Sequence, residues 1–190
     1  MQSDCCDAQR QMIYQVEQMR QLHPCMGTGT DFFERPLLVM LAGAKGDAGQ
    51  VEVNVKVMNG KTIVSDTQET IAWQAHPEDV AGARNAIART SLVEYAAIGM
   101  ACLIIPTYCD GRQLLEVTRR GDRADYWLGY HPGEKVALLE VGGTEKRSIQ
   151  VLLNEKTNQL AGNPYGVDGY VVVARFESFE VILSQNRCGQ

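Results

Sequence analysis

The chain has 190 residues, of which 45% are hydrophobic and 22% charged, a length and balance that suit one globular domain with a sizeable core. Its formal net charge of −5 and pI of about 5.2 exclude a protein that grips nucleic acid with a broad basic surface, while leaving room for a local basic patch. The longest uninterrupted apolar run, Ala96 to Pro106, falls short of the roughly 20 residues of a membrane span, and Asp4, Cys5, Cys6 and Asp7 do not form the basic-then-apolar pattern of a secretory signal.

Residues 7–22 predict an amphipathic helix. Met12, Ile13, Val16 and Met19 recur at helical spacing among glutamines and charges, and His23, Pro24 and the glycines at 27 and 29 end it. This helix, within residues 1–25, could pack on the domain, on a second copy or on a partner protein, so it stands apart from a single α/β domain over 26–190. Residues 36–42 are an apolar run after Pro36. Val51, Val53, Val55 and Val57 alternate with polar residues as in a half-buried strand. Asn59-Gly60 then predicts a hairpin turn, with a return strand from Thr62, so the first half offers a small antiparallel meander. Residues 78–105 predict helix in two pieces, with Pro77 at the N-terminal position, the better half from Ser91 to Ile104, and Pro106 as the stop. Strands follow over 114–118, 123–128 and 135–141, then a helix over 148–160 and strands over 169–176 and 178–183. From 91 to 183 the order is helix, three strands, helix, two strands.

Three features in this second half carry chemistry. A hairpin symmetric about Pro132 and Gly133 sets Asp125 directly opposite Glu140, on one face of the sheet. Opposed carboxylates repel unless a cation lies between them, and a hard divalent ion such as Mg²⁺ takes such oxygens. The other reading is an exposed sheet face with ordinary charges. On the helix over 148–160, the apolar stripe of Ile149, Leu152, Leu153 and Leu160 passes through Lys156, with Gln159 facing a similar way. Desolvating an ammonium is costly, so Lys156 either serves a site or snorkels to the helix edge. On the preceding helix, Glu94 shares a face with Ala97, Ile98 and Ala101, which makes it a carboxylate on the expected core side or at the border of the stripe.

A Glu-bearing helix, a strand with Asp, a strand ending in Glu and a helix with Lys and Gln together resemble the core of the PD-(D/E)XK, or restriction-endonuclease-like, nucleases. The resemblance implies a mixed central sheet flanked by helices. It also implies Asp125 and Glu140 as ligands of Mg²⁺ (or Mn²⁺), Glu94 as an auxiliary acid, and a lysine that helps to activate the attacking water. The (D/E)-x-K element reads Glu140-Val141-Gly142 here, with glycine where the lysine is expected. Some members carry that lysine on another element, and Lys156 is the natural candidate, ahead of Lys146 and Lys135. Gln159 would join the catalytic set, and Arg119, Arg120, Arg123, Lys146 and Arg147 would contact phosphates. The runs from Arg123 to Gly129 and from Leu139 to Thr144, together with Lys156, Gln159-Leu160, Asn163-Pro164 and Gly169 to Val172, are also similar to a set of uncharacterised bacterial proteins, over less than half of the chain.

The expected activity is therefore metal-assisted phosphodiester hydrolysis on nucleic acid. The alternative is an inactive nuclease-like fold that serves as an interaction module or subunit, which Gly142 and the acidic pI favour. The six cysteines include no CxxC and suggest no disulfide framework, which points to a reducing cytoplasm. No GxSxG or Walker A motif occurs, and His23, His76 and His131 have no zinc-ligand spacing.

Overall fold

The computed structural model describes residues 11–187. In chain order the elements are β1 (Ile13–Gln15), α1 (Met19–Leu22), α2 (Asp31–Lys45), β2 (Ala48–Asn59), β3 (Thr62–Gln74), α3 (Pro77–Ala86), α4 (Arg89–Tyr108), β4 (Gln113–Val117), β5 (Tyr126–Gly129), β6 (Ala137–Thr144), α5 (Ile149–Ala161), β7 (Gly169–Arg175) and β8 (Glu180–Asn186). All eight strands join one mixed sheet in the order β1-β3-β2-β8-β7-β6-β5-β4, against which the five α-helices pack. The pairs β1–β3, β2–β8 and β6–β7 are parallel and the others antiparallel. The β2–β3 hairpin turns at Gly60 (φ 58°), as Asn59-Gly60 predicts, and extends the sheet of the second half through β8.

Burial on both faces follows from the pleat. Val51, Val53, Val55, Leu139, Val141, Val172 and Ala174 point towards α2 and α4. Their neighbours Leu138, Val171, Val173 and Ile182 point the other way, onto Leu152, Leu153 and Leu160 of α5. Helix α4 reaches the sheet closely because β6 carries Gly143. A Cβ there would overlap the Val93 carbonyl oxygen and come within 2.9 Å of the Ala97 Cβ.

The structure corrects the helix expected over 7–22 and the stop expected at Pro106, and assigns the apolar run over 36–42. Of the helix expected over 7–22, residues 7–10 lie outside the described range, and only Met19–Leu22 is α-helical. The open edge of β3 takes residues 13–15 as a strand instead. Thr70 N–H donates to the Met12 carbonyl (2.9 Å), and Met12 N–H donates to the buried Glu69 carboxylate (2.7 Å). The apolar residues 36–42 belong to α2, which absorbs Pro36 in its second turn. Helix α4 passes Pro106 by two residues to Tyr108. That makes it 20 residues long and apolar enough to cross a membrane by length and composition, but 67% of its apolar window is buried inside the fold, so it is the core helix.

His23 ties the N-terminal segment to this core. Its fully buried ring donates from Nε2 to the Cys102 carbonyl (2.6 Å) and accepts the Leu114 N–H at Nδ1 (2.9 Å). That pairing requires the neutral ring, and burial pushes its pKa down to about 4.

Gly143→Ala is expected to destabilise the fold by about 1–3 kcal/mol in urea unfolding, since helix backbone must move to admit the methyl group. Gly43→Ala, at an exposed position in α2 with open space around the new Cβ, is expected to be stabilising by up to about 1 kcal/mol.

Candidate functional site

The β5–β6 hairpin has the expected register: Tyr126 pairs with Leu139, Trp127 with Leu138 and Leu128 with Ala137. Asp125 therefore arrives beside Glu140, although β5 begins one residue later than Asp125 and residues 121–125 form a loop. The strand expected over 123–128 starts late because Gly121 (φ 101°) and Arg123 (φ 58°) both take left-handed backbone conformations. Asp125 N–H donates to the Leu139 carbonyl (2.9 Å), and its Oδ2 accepts the Val141 N–H (2.8 Å). The carboxylate is thus held by the strand that carries Glu140.

Glu140 is fully buried. Its Oε1 accepts from Lys156 Nζ at 2.5 Å, while Oε2 has no hydrogen-bond partner among the described residues. Burial, together with the Asp125 charge, pushes the Glu140 pKa up to about 7, against the pull of Lys156. Burial raises the Asp125 pKa too, opposed by the Val141 N–H and the Lys156 charge and reinforced by Glu94. Two carboxylates and one ammonium therefore act on one another, with Glu140 sealed from water and Asp125 and Lys156 partly exposed.

Lys156 reaches Glu140 from α5 across Gly142. A Cβ on residue 142 would lie 3.2 Å from both Cγ and Cε of Lys156. The space left by the absent side chain in Glu140-Val141-Gly142 is the space the Lys156 stem occupies. The Lys156 side chain is 24% exposed, so it is neither free in solvent nor sealed in the core.

The remaining candidates divide. Glu94 is exposed, contrary to the core-facing placement, but acts electrostatically on Asp125 from the rim. Helix α4 buries Leu92, Val93, Ala96, Ala97 and Ile98 around most of its girth, so apolar neighbours do not define its one polar side. Gln159, Asp125, Arg119, Arg120 and Arg123 line one open cleft of about 390 Å³. None of these three arginines makes an ion pair with a carboxylate among the described residues. Lys146 and Arg147 are elsewhere: Lys146 lines a separate cavity with Arg89, Glu145 and Phe176, and Arg147 is paired with Glu155. Lys135 is paired with Glu116 over the Trp127 ring. Among the described residues, no group of three His, Cys, Asp or Glu could hold a metal ion, so Asp125 and Glu140 stand as a two-carboxylate set.

One residue at this end escaped the sequence reading. Tyr165 follows Asn163-Pro164 and lies against Trp127, with ring centroids 4.8 Å apart. The signal was an aromatic residue inside a glycine- and proline-rich connection. No protein-family model, curated protein or solved structure matches the chain.

The raised Glu140 pKa sets a pH dependence. The native state holds this proton more tightly than the unfolded chain, so the contribution is complete below about pH 4.5 and is lost as pH rises through about 7. Glu140→Gln removes the titration. Its stability relative to wild type, followed by urea unfolding, is expected to improve by about 1–3 kcal/mol between pH 5 and pH 8. His23 titrates in both proteins and cancels in the difference.

Proposed function

We propose that this chain is a Mg²⁺- or Mn²⁺-dependent phosphodiester hydrolase acting on nucleic acid, built on a restriction-endonuclease-like core. The reading rests above all on Glu140, a fully buried carboxylate with an unpartnered oxygen, a second carboxylate beside it and a lysine on its other oxygen. The run α4-β4-β5-β6-α5-β7-β8 supports it, since these five strands are neighbours in chain order within the sheet. The acid-bearing helix, the hairpin with Asp125 at its entry and Glu140 on its second strand, and the lysine-bearing helix follow the order that the PD-(D/E)XK resemblance implies.

The donor chemistry fits a hard cation: two carboxylates, one of them with an orphaned buried oxygen. Asp125 and Glu140 would hold the ion, which when bound lowers the pKa of water and polarises a phosphate. Lys156 keeps a positive charge at Glu140, where it stabilises a hydroxide or the charge developing on phosphate. Gln159 offers an amide at the mouth of the cleft, and Arg119, Arg120 and Arg123 hold the backbone of the substrate. Glu94 tunes Asp125 from the rim.

The second reading, an inactive nuclease-like module that binds another protein, draws on one observation. The described residues assemble only two carboxylates, and Lys156 already neutralises one of them.

Titration calorimetry with Mn²⁺ and Mg²⁺ separates the two. The hydrolase reading predicts binding to wild type that is lost in both Asp125→Ala and Glu140→Ala, and metal-dependent cleavage of DNA or RNA by wild type alone. Lys156→Met is expected to keep metal binding and lower kcat by about 10²–10³-fold. Wild type that neither binds metal nor cleaves any nucleic acid, with or without metal, leaves the module.

A further inference from the structure

The loop before β5 and the loop after α5 come together at one end of the sheet, and both leave polar or aromatic groups unspent. Asp122, the acid that interrupts the run of arginines, is only 8% exposed. Its Oδ2 accepts the Arg119 N–H (2.7 Å) and its own N–H donates to the Arg119 carbonyl (3.1 Å), so it serves to close the turn. The Asp122 carboxylate and Arg119 both act electrostatically on the Tyr165 hydroxyl, which places the two loops side by side. Gly162, where α5 ends, leaves room for the Arg123 guanidinium to lie across it. The acid is thus consumed inside the turn, and Arg119, Arg120 and Arg123 face the cleft without an ion pair among the described residues.

Tyr165 follows Gly162, over which the Arg123 guanidinium lies, and has 42% of its surface exposed. Its ring is backed by Trp127 at 65°, which props it without covering it face to face. A propped, exposed ring on a loop next to arginines that make no ion pair among the described residues is the combination that takes a strand with unstacked bases. The arginines meet phosphates, and the ring stacks a base whose face is free. A duplex presents no free base faces along its length, and a chain with net charge −5 offers only this short cationic stretch to grip one.

We propose that the Arg119–Arg123 loop and Tyr165 form a binding site for single-stranded nucleic acid that feeds a phosphodiester into the cleft of Asp125 and Gln159. This rests on the nuclease reading for its purpose, not for its binding, which needs no metal.

The test is fluorescence anisotropy of the full chain, in EDTA, with a labelled oligothymidylate of about 12 nucleotides and a duplex of equal length. Wild type is expected to prefer the single strand, with log K falling against log salt at a slope of about −2 for three phosphate contacts. The slope should become shallower by about 0.7 for each Arg→Gln replacement at 119, 120 or 123. Tyr165→Ala is expected to weaken binding about tenfold, while Tyr165→Phe, which keeps the ring and loses only the hydroxyl, binds as wild type does. Thermal melting of Tyr165→Ala checks that the loop change leaves the fold intact. Equal binding by Tyr165→Ala, equal loss in Tyr165→Phe, or a preference for duplex would overturn the proposal. Cleavage of duplex with Tyr165→Ala unaffected would overturn it while leaving the hydrolase. Metal-independent single-strand binding without any cleavage would uphold it and remove the hydrolase.

Discussion

Glu140 is a fully buried carboxylate with one unpartnered oxygen, and the surrounding elements are arranged around it. An ionised carboxylate with no water access needs a partner for each oxygen, and Glu140 has one partner for two. A buried ion pair is a weak source of stability, because desolvation offsets most of the attraction and an apolar pair of like volume would serve at least as well. Its neighbours compound the cost: Asp125 is brought beside it by hairpin register and pinned by the Val141 N–H. Asp125 serves the sheet with one oxygen, which satisfies the Val141 N–H beyond the end of β5, but a neutral amide could do the same without the charge. The arrangement makes physical sense as a place prepared for positive charge, of which Lys156 supplies a single unit.

The rest of the fold delivers these groups. The pleat turns Leu138, Glu140 and Gly142 towards α5 and turns Leu139, Val141 and Gly143 towards α4. Each glycine serves its own face. Gly143 lets the backbone of α4 approach the strand, which sets Glu94 at the rim above Asp125. Gly142 makes room for Lys156. On the far side the sheet continues through β8, β2 and β3 to the N-terminal strand, and His23 locks that segment to α4 and β4. The hairpin that carries the carboxylates is thus backed by a broad sheet covered on both faces from β6 to β8, and the exposed Arg119, Arg120 and Arg123 sit in the loop before β5.

Much of the second half was legible in the sequence because its signals are local. The symmetric connection around Pro132 and Gly133 gave the register of β5 and β6, and a lysine in an apolar stripe marked the inward side of α5. The first half was less legible where tertiary context decides. Met12, Ile13, Val16 and Met19 recur at helical spacing, but an open sheet edge took residues 13–15 as a strand. Pro36 hid a helix that tolerates it, and the nearly all-apolar girth of α4 concealed which way Glu94 points. Charge runs were only partly readable, since sequence could not show that Arg147 and Lys135 have carboxylate partners whereas Arg119, Arg120 and Arg123 have none among the described residues.

The central claim is that Glu140 is a carboxylate held in a state that positive charge relieves. Its own titration tests this most directly, read from the side-chain carboxyl carbon by NMR without and with Mg²⁺. The account predicts a midpoint near pH 7 without the ion and a fall of at least about one pH unit when the ion is added. A midpoint at the ordinary glutamate value of about 4.5, unmoved by Mg²⁺, would contradict it.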